Sequence, residues 1–396
     1  MASIALVLLL AAAVGLVVIA AQHVALWTHV RKAPCVARQT PPASILKPLC
    51  GIDDELEANL ASFAALDHPQ YEVVLGVRSR LDPAWEVARA AVRRWPDRFR
   101  VVVQRGEPGL NPKDNQLVTL ARAARHALLV VSDSNVRVGP GYLAEIAALL
   151  EDDAVGLVTH PIVGVGEARL GSLMDHLHLA GSITPGVVGA KRLFGHDIVV
   201  GKSMALRRAD LEVLGGFEAV KDVLAEDYVL GRMIGEVLGK RVAVARQPIQ
   251  NVSNRRTLRE FAARYRRWAV LQRQIAGRTV HAAQIFLNPV LLASLAAGTA
   301  RTPGALGALA TVCAAKAALD GAAARALRPG GFRVTQLAVV PLKDVVFGAA
   351  WLYGLVRRDV EWRGTRLLVT RGTRIEAPPE RPELSVARGG EAAAVS

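Results

Sequence analysis

The sequence predicts an α/β domain with a mainly parallel sheet, set between apolar segments at the two ends of the chain. Short β-branched runs alternate with helical patterns from residue 31 to 280, which is typical of a sheet covered on both faces. Long apolar stretches lie before and after that region. We therefore expect an N-terminal transmembrane anchor (1–30), a cytosolic domain (31–280), C-terminal transmembrane or re-entrant segments (281–357) and a tail (358–396).

Composition supports this division and limits the function. Of the 396 residues, 52% are apolar and 21% charged, which excludes a disordered chain. The three cysteines form no Cys-x-x-Cys pair, so a disulfide framework is excluded. The net charge of +14 indicates an anionic partner: nucleic acid, a nucleotide substrate or an acidic membrane face.

The first element is an uncharged stretch from Ser3 to Thr28, long enough to cross a bilayer, which takes about 20 residues. A cleaved signal peptide would carry a basic start and a shorter apolar run, so we predict a retained anchor. Arg31, Lys32 and Arg38 follow directly. Positive charge there places the following domain in the cytosol, at the inner membrane if the protein is bacterial.

The central region predicts four buried strands, at 71–77, 99–103, 127–131 and 155–159. Helical patterns surround them at 56–66, 84–95, 115–125 and 142–150. Ligands of such sheets bind beyond the carboxyl ends of the strands. The residues that follow each strand are therefore the first candidates for a site.

Three apolar stretches follow Val280. The first (282–300) is uncharged, the second (to 324) contains Lys316 and Asp320, and the third (334–356) contains Pro341, Lys343 and Asp344. Ionisable residues in such segments face protein or water. Basic flanks on both sides of the third stretch favour a re-entrant or interfacial segment. The composition after Glu376 predicts disorder.

Carboxylates follow two of the predicted strands. Asp82 comes after the strand at 71–77, and Asp133, with Ser134 and Asn135, comes after the strand at 127–131. A single aspartate at such a place is commonly a helix cap or turn former. The three neighbouring oxygen-bearing side chains at 133–135 alternatively suit a divalent cation that holds a diphosphate.

Two further segments carry charge at predicted helix starts. Lys113 is either a solvated lysine or a phosphate ligand beside the helix N-terminus. Glu226 and Asp227 are either caps or a pair that includes a general base, since clustered acids raise one another's pKa.

A basic segment ends the central region. Residues 254–273 hold seven arginines and one glutamate, and we predict a basic amphipathic helix over 254–275. Two interpretations are open. Either the helix lies on anionic lipid, or Arg267 and Trp268 face inward and hold a pyrophosphate leaving group.

These signals also form an ordered set, in register from about Ile45 to Ala276. The set comprises Lys47–Asp53, Asn59-Leu60, Asp82-Pro83, Asn111–Lys113, Ser132–Ser134, Gly201–Ser203, Ala225–Tyr228, Arg264-x-x-Arg267-Trp268 and, beyond it, Trp362–Gly364. It resembles the ceramide glucosyltransferase family, which are membrane-bound, inverting GT-A enzymes of the superfamily that includes cellulose and hyaluronan synthases. The resemblance implies a GT-A fold for the central domain.

The resemblance also implies roles for individual residues. Asp82 lies near the uridine, Asp133 binds Mg²⁺ or Mn²⁺ on the diphosphate, and Asp227 is the catalytic base. The implied substrate-binding residues are Asp82, Lys113, Glu226, Arg264, Arg267 and Trp268. Two positions depart from the family pattern: Asn135 replaces the second aspartate of an Asp-x-Asp pair, and Gln116 interrupts Lys-x-Asn-Asn.

The implied reaction is transfer of a hexose, expected to be glucose, from a UDP-sugar to the primary hydroxyl of ceramide with inversion. Two related alternatives are N-acetylglucosaminyl or hexosyl transfer to a hopanoid or diacylglycerol, and polysaccharide synthesis, for which the C-terminal segments are too few. A membrane-anchored nucleic-acid binder is disfavoured by the 5% aromatic content, so we expect no nucleic-acid partner.

The sequence assigns no role to four histidines. It also leaves two interpretations open for Lys343 and Asp344, which either line an acceptor cleft or pair in a re-entrant turn. The histidines are His160, His176, His178 and His196.

Overall fold

The structure is a computed structural model that describes residues 2–362 and 365–376. Its helices are α1 (Ala2–Val30), α2 (Leu56–Ala64), α3 (Ala84–Arg94), α4 (Pro112–Ala123), α5 (Tyr142–Leu150), α6 (Leu170–His178), α7 (Thr184–Phe194), α8 (Arg208–Val213), α9 (Glu226–Glu236), α10 (Leu258–Ala283), α11 (Pro289–Ala300), α12 (Pro303–Leu327), α13 (Val334–Leu337) and α14 (Val340–Val356). Its strands are β1 (Ala43–Pro48), β2 (Tyr71–Val77), β3 (Phe99–Val103), β4 (Leu128–Ser132), β5 (Val136–Arg137), β6 (Val155–Thr159), β7 (Ile162–Val165), β8 (Ser203–Arg207), β9 (Arg241–Val244), β10 (Ile249–Val252), β11 (Asp359–Trp362), β12 (Thr365–Val369) and β13 (Ile375–Glu376).

A seven-stranded sheet in the order β3-β2-β1-β4-β8-β6-β9 forms the centre of the domain. All neighbouring strands are parallel except for β8, which pairs antiparallel with both β4 and β6. The four predicted strands are confirmed, with β4 shifted by one residue. The prediction of a mainly parallel sheet is therefore confirmed.

Helices cover the two faces of this sheet. On one face α2, α3 and α5 pack through residues such as Leu60, Ala88 and Ile146. On the other face α4 and α9 contribute Leu117 and Leu230. Because both faces are buried, the four predicted strands are mostly apolar, which explains why they could be recognised in the sequence.

The apolar ends of the chain form helices beside this domain. In the part of the chain that the structure describes, α1, α12 and the run α13–α14 are each long and apolar enough to cross a membrane. The N-terminal helix α1 packs against α7, α11 and α12, so the N-terminal apolar segment contacts two of the C-terminal apolar helices.

The C-terminal region contains a sharp bend between two helices. The helices α10 and α11 meet at 77°, and the break falls at Asn288, whose side chain accepts a hydrogen bond from Leu291 N. The third apolar stretch, expected to be re-entrant or interfacial, forms α13 and α14, and its placement relative to the membrane stays a prediction. Its Pro341 lies in the first turn of α14, where a missing N–H costs no helical hydrogen bond.

The segment predicted as a tail begins with a small antiparallel sheet of β11, β12 and β13. Its residues Val360, Leu367 and Ile375 pack against Leu224 and Val270. The residues predicted to be disordered, 377–396, lie outside the described part of the chain.

Candidate active site

A cavity of about 1270 Å³ opens at the carboxyl ends of β1 and β4, where ligands of parallel sheets bind. Its walls come from both parts of the chain. Loops of the α/β domain supply Asp133, Lys113 and Asp227, and the apolar helices supply Ile19 and Trp351. The cavity is therefore mainly charged at the sheet and combines apolar with a few polar residues beside the apolar helices.

The charged end is built around Asp133, the residue that follows β4. Its Oδ1 lies 3.0 Å from Lys113 Nζ, and its Oδ2 lies 3.0 Å from Lys202 Nζ. Burial alone would raise the pKa of Asp133, but the two ammonium groups hold it well below its usual range. Asp133 is therefore ionised at neutral pH, as a ligand for a cation must be.

Asp227 lies at the start of α9, facing the same space. Its Oδ2 accepts a hydrogen bond of 2.6 Å from Gly201 N, and its Oδ1 accepts one of 2.8 Å from Tyr228 N. A Cβ at Gly201 would lie 2.9 Å from Asp227 Oδ2, so this contact requires glycine. Burial, and then the charge of Glu226, raise the pKa of Asp227 to about 6. A carboxylate in that range suits a general base near neutral pH.

Lys113 connects the two acidic groups. The Asn111 side chain caps α4 by accepting from Lys113 N, and this orients the lysine into the cavity. Lys113 Nζ lies 2.6 Å from Glu226 Oε1 as well as 3.0 Å from Asp133. Burial would lower the pKa of Lys113, but Asp133 and Glu226 raise it well above its usual value. Lys113 is therefore a charged, half-buried lysine on the cavity wall rather than a solvated one, and its role as a phosphate ligand stays a prediction.

The basic helix contributes the opposite wall. It begins at Leu258 rather than at 254, because Thr257 and Glu260 form a capping box. Arg264, Arg267 and Trp268 lie three and four residues apart, so they share one helix face, and all three line the cavity. The Arg264 guanidinium lies 5.1 Å from the centre of the Trp268 ring.

Asp175, which sequence reasoning missed, anchors this wall. It is fully buried on α6, its Oδ1 lies 3.4 Å from Arg264 Nε, and it accepts a 2.7 Å hydrogen bond from Tyr265 OH. Its other oxygen binds Arg256. Burial would raise the pKa of Asp175, but Arg264 and Arg256 lower it to about 2.

Asp82 differs from the other predicted site residues because it does not line the cavity. Its Oδ1 accepts hydrogen bonds of 2.9 Å from Gly51 N and from Ala84 N. It therefore caps the start of α3 and holds the loop that contains Cys50 and Asp53, which do line the cavity. The capping alternative for Asp82 describes its contacts in this structure.

Two lysines beneath and beside Asp133 were also missed. Lys202 pairs with Asp133 and donates to Asn135 Oδ1 at 2.7 Å. Lys47 is fully buried under the site and donates to the backbone oxygen of Asp133 at 2.8 Å. Burial lowers the pKa of Lys47 to about 7. Both belong to the ordered motif set, but nothing in the sequence pairs them with Asp133.

The four histidines have different environments. His160 accepts or donates a hydrogen bond with Ser203 Oγ, and His176 pairs with Glu167. His196 is exposed at the rim of the cavity, whereas His178 is buried in its wall. The hydrogen bonds of His160 and His176 indicate that these two histidines are structural residues.

The residues present fit a divalent cation only in partnership with a substrate. Within residues 2–362 and 365–376, no three His, Cys, Asp or Glu side chains come together as a metal site. Magnesium is nevertheless commonly held by one carboxylate together with substrate phosphates and water. The ionised Asp133 on the cavity wall supplies one such carboxylate, and Lys113 and Lys202 neutralise it when no substrate is bound.

Comparison with known proteins places this geometry in a family. The sequence profile of Glycosyl transferase family 21 matches residues 7–375, which is most of the chain. The chain belongs to glycosyl transferase family 21. The predicted family resemblance is confirmed, and the matched range extends through the apolar helices and most of the C-terminal sheet.

Relatives of this family 21 chain are named as ceramide glucosyltransferases. Ceramide glucosyltransferase 1 of Caenorhabditis elegans is 28% identical over 243 residues, covering 59% of this chain and 50% of the relative. The ceramide glucosyltransferase of Komagataella phaffii is 33% identical over 162 residues, covering 39% and 31%. The chain thus spans about half the length, or less, of these relatives.

A solved structure shows the same fold. A mannosyltransferase from Pyrobaculum calidifontis, in complex with GDP-Man and Mn²⁺, superposes with a TM-score of 0.50 and 21% identity. The match covers 89% of the family 21 chain and 98% of the mannosyltransferase. The predicted GT-A fold is confirmed, and at this identity the likeness concerns the fold alone.

Proposed function

We propose that the protein transfers a hexose, most simply glucose, from a UDP-sugar to the primary hydroxyl of a ceramide-type lipid with inversion. The observation that carries this proposal is the continuity of one cavity. Its charged end offers Lys113 and Arg267 to a diphosphate, and its other end is lined by residues of membrane-type helices such as Ile19 and Leu287. A lipid bound there presents its headgroup without leaving an apolar environment.

Asp227 is the group suited to start the reaction. With a pKa near 6 it is mostly ionised at neutral pH and still basic enough to accept the proton of the acceptor hydroxyl. The acceptor oxygen then forms a bond to the anomeric carbon while the bond to the UDP oxygen breaks. A single displacement inverts the anomeric centre, so an α-linked donor yields a β-glycoside.

The cationic side chains stabilise the charge that develops on the departing UDP. Arginine binds diphosphate oxygens through two parallel N–H donors, which suits Arg264 and Arg267 on their shared face. Asp133 would hold Mg²⁺ or Mn²⁺, which supplies further neutralisation of the diphosphate when bound. Lys113 and Lys202 line the cavity beside Asp133 and are placed to contact the phosphates.

The membrane helices imply where the reaction takes place. Arg31, Lys32 and Arg38 follow α1 directly, and the positive-inside rule puts this flank in the cytosol. The charged end of the cavity is formed by the domain that follows this flank. We therefore propose an integral membrane protein that uses cytosolic UDP-sugar.

The test is a transfer assay with the full chain in lipid nanodiscs. UDP-glucose, UDP-galactose and UDP-N-acetylglucosamine are each offered with ceramide, diacylglycerol and a hopanoid, and product mass and anomeric configuration are measured. A β-hexosyl ceramide is expected, and its yield should fall about 100- to 10,000-fold in Asp227→Asn. Asp222→Asn, nearby but outside the cavity lining, is the control. Transfer only to a hopanoid or diacylglycerol, or undiminished activity in Asp227→Asn, would contradict the proposal.

A further inference from the structure

A network of four buried charges lies between α12 and α14, at the membrane-helix end of the cavity. Lys316 and Asp320 come from α12, and Lys343 and Asp344 come from α14. Lys343 Nζ lies 3.0 Å from Asp320 Oδ2 and 2.9 Å from Asp344 Oδ1, and Lys316 hydrogen-bonds to Asp320. The four charges balance, as burial in an apolar environment requires.

One acceptor atom of this network has no hydrogen bond. Asp344 Oδ2 meets no donor among the described residues, and Lys316 Nζ lies 3.9 Å away. Asp344 is 4% exposed and lines the cavity, whereas Asp320 does not. Asn288, also on the cavity wall, donates to the backbone oxygen of Asp344 at 2.7 Å and fixes its position. A buried carboxylate oxygen without a donor is unfavourable, so this atom points to a ligand that donates.

His178 is a second unsatisfied group on the same wall. It is 2% exposed, and both of its ring nitrogens are without a hydrogen-bond partner in the described chain. The centre of its ring lies 4.5 Å from the centre of the Tyr265 ring and 4.3 Å from the centre of the Phe347 ring. Burial, and then Lys343 and Lys316, hold the pKa of His178 well below its usual value, so the ring is neutral, with one donor and one acceptor nitrogen.

The two groups belong to one subsite. Phe347, which contacts His178, lies three residues after Asp344 on α14, so both share a helix face. The cavity lining includes His178, Asp344 and Phe347 together. The subsite therefore combines aromatic walls with one strong acceptor and one group that both donates and accepts.

We propose that Asp344 and His178 bind the polar groups next to the reacting hydroxyl of the acceptor lipid, and that they select lipids carrying hydrogen-bond donors there. This rests on the proposed function and deepens it, because it assigns to these two side chains the recognition of an N-acylated amino alcohol with a second hydroxyl. Such a lipid offers an amide N–H and a secondary O–H. A diacylglycerol offers only ester oxygens beside its hydroxyl, which leaves Asp344 Oδ2 unpaired, and sites built for a donor reject analogues that lack it.

The experiment measures acceptor preference, using the full chain in nanodiscs and the UDP-sugar that supports transfer. The acceptors are a short-chain ceramide, its analogue without the secondary hydroxyl, and its analogue with an N-methylated amide. All three keep the primary hydroxyl. The unmodified protein should prefer ceramide over each analogue by about tenfold or more in kcat/KM.

The variants are His178→Phe and Asp344→Asn, with His160→Phe and Asp320→Asn as matched controls. Each control residue is as buried as its counterpart but does not line the cavity. His178→Phe removes no protein hydrogen bond and keeps the aromatic packing, so it should fold. In both variants the preference over at least one analogue should fall to within about twofold, with the KM for the donor unchanged. In the controls the preference should persist.

Two results separate the possible failures. If the unmodified protein transfers sugar but either variant keeps the full preference over both analogues, the subsite is overturned while the proposed function stands. If the unmodified protein transfers to none of the three acceptors, the proposed function itself fails.

Discussion

The pKa of Asp227 leads to a specific pH dependence. With a pKa of about 6, the carboxylate is about 90% ionised at pH 7 and about 10% ionised at pH 5. Because only the ionised form accepts the acceptor's proton, kcat/KM should fall about tenfold between these pH values. An aspartate at its ordinary value of 3.8 would stay more than about 90% ionised at pH 5, so the rate would hardly change.

A substitution at Glu226 tests what raises the pKa of Asp227. After burial, the charge of Glu226 is the next contribution that raises the pKa of Asp227. The substitution Glu226→Gln removes that charge and keeps the shape of the side chain. The acidic limb of the profile should therefore move to lower pH, and activity at pH 5 should rise relative to activity at pH 7.

The assay is initial-rate transfer from pH 4.5 to 8 under conditions that report kcat/KM, with Asp222→Asn as the control. Asp222 lies four residues before Glu226, and its Oδ1 accepts from Leu110 N outside the cavity lining. Its profile should match that of the unmodified protein. A profile flat down to pH 5, or an acidic limb that stays in place in Glu226→Gln, would refute the assignment of Asp227 as a base tuned by burial and its neighbour.

Three further predictions concern the residues that support the site. The pKa of Lys47 is about 7 in the folded protein, so between pH 7 and 10.5 the unfolded chain binds more protons than the folded chain and stability rises with pH. The thermal midpoint should therefore increase from pH 7 to 9, and it should increase less in Lys47→Met. Asp175→Asn removes the buried charge that pairs with two half-buried arginines and should lower the free energy of unfolding by about 3–5 kcal/mol in denaturant titrations, whereas Asp152→Asn, at an exposed ion pair, should leave the midpoint unchanged. Ile375 is 4% exposed, and its backbone N–H donates to Asp222 O at 2.8 Å. The substitution Ile375→Ala should lower the free energy of unfolding by about 2–5 kcal/mol and expose the loop before α9 to limited proteolysis. An unchanged cleavage pattern would show that the C-terminal sheet does not hold that loop.

The strands that could be predicted are those that fold as continuous apolar runs. Both β2 and β3 begin and end where predicted, since every residue of β2 is buried and its sequence is β-branched and apolar. The strand β1 was not predicted, because it contains Ser44, Lys47 and Pro48. Two of these polar residues are buried by partners far along the chain: Ser44 donates to Glu72, and Lys47 donates to Asp133 O.

The site was predictable to the extent that its residues follow strands or begin helices. Asp133 and Asp227 stand at such places, and Arg264, Arg267 and Trp268 are spaced for one helix face. The partners of these residues were not predictable, because pairing across elements depends on the assembled fold. Asp175 is an ordinary aspartate in the sequence and acquires its function only where α6 meets α10.

For the charged residues of the apolar segments, burial could be predicted from the sequence but individual contacts could not. Their presence predicted an interior or water-facing position, and Lys316, Asp320, Lys343 and Asp344 are indeed buried against one another. Which atom of the network remains free for a ligand depends on distances between α12 and α14. The sequence could not distinguish Asp344, which lines the cavity, from Asp320, which does not.

The central claim is that one cavity holds the nucleotide at the sheet and the lipid at the membrane helices. Electron cryo-microscopy of the protein in nanodiscs with UDP, Mn²⁺ and a short-chain ceramide tests it most directly. The account predicts the diphosphate within hydrogen-bond distance of Lys113 or Arg267 and the lipid headgroup between Asp227 and Asp344. Nucleotide density away from Asp133, or lipid bound outside this cavity, would contradict it.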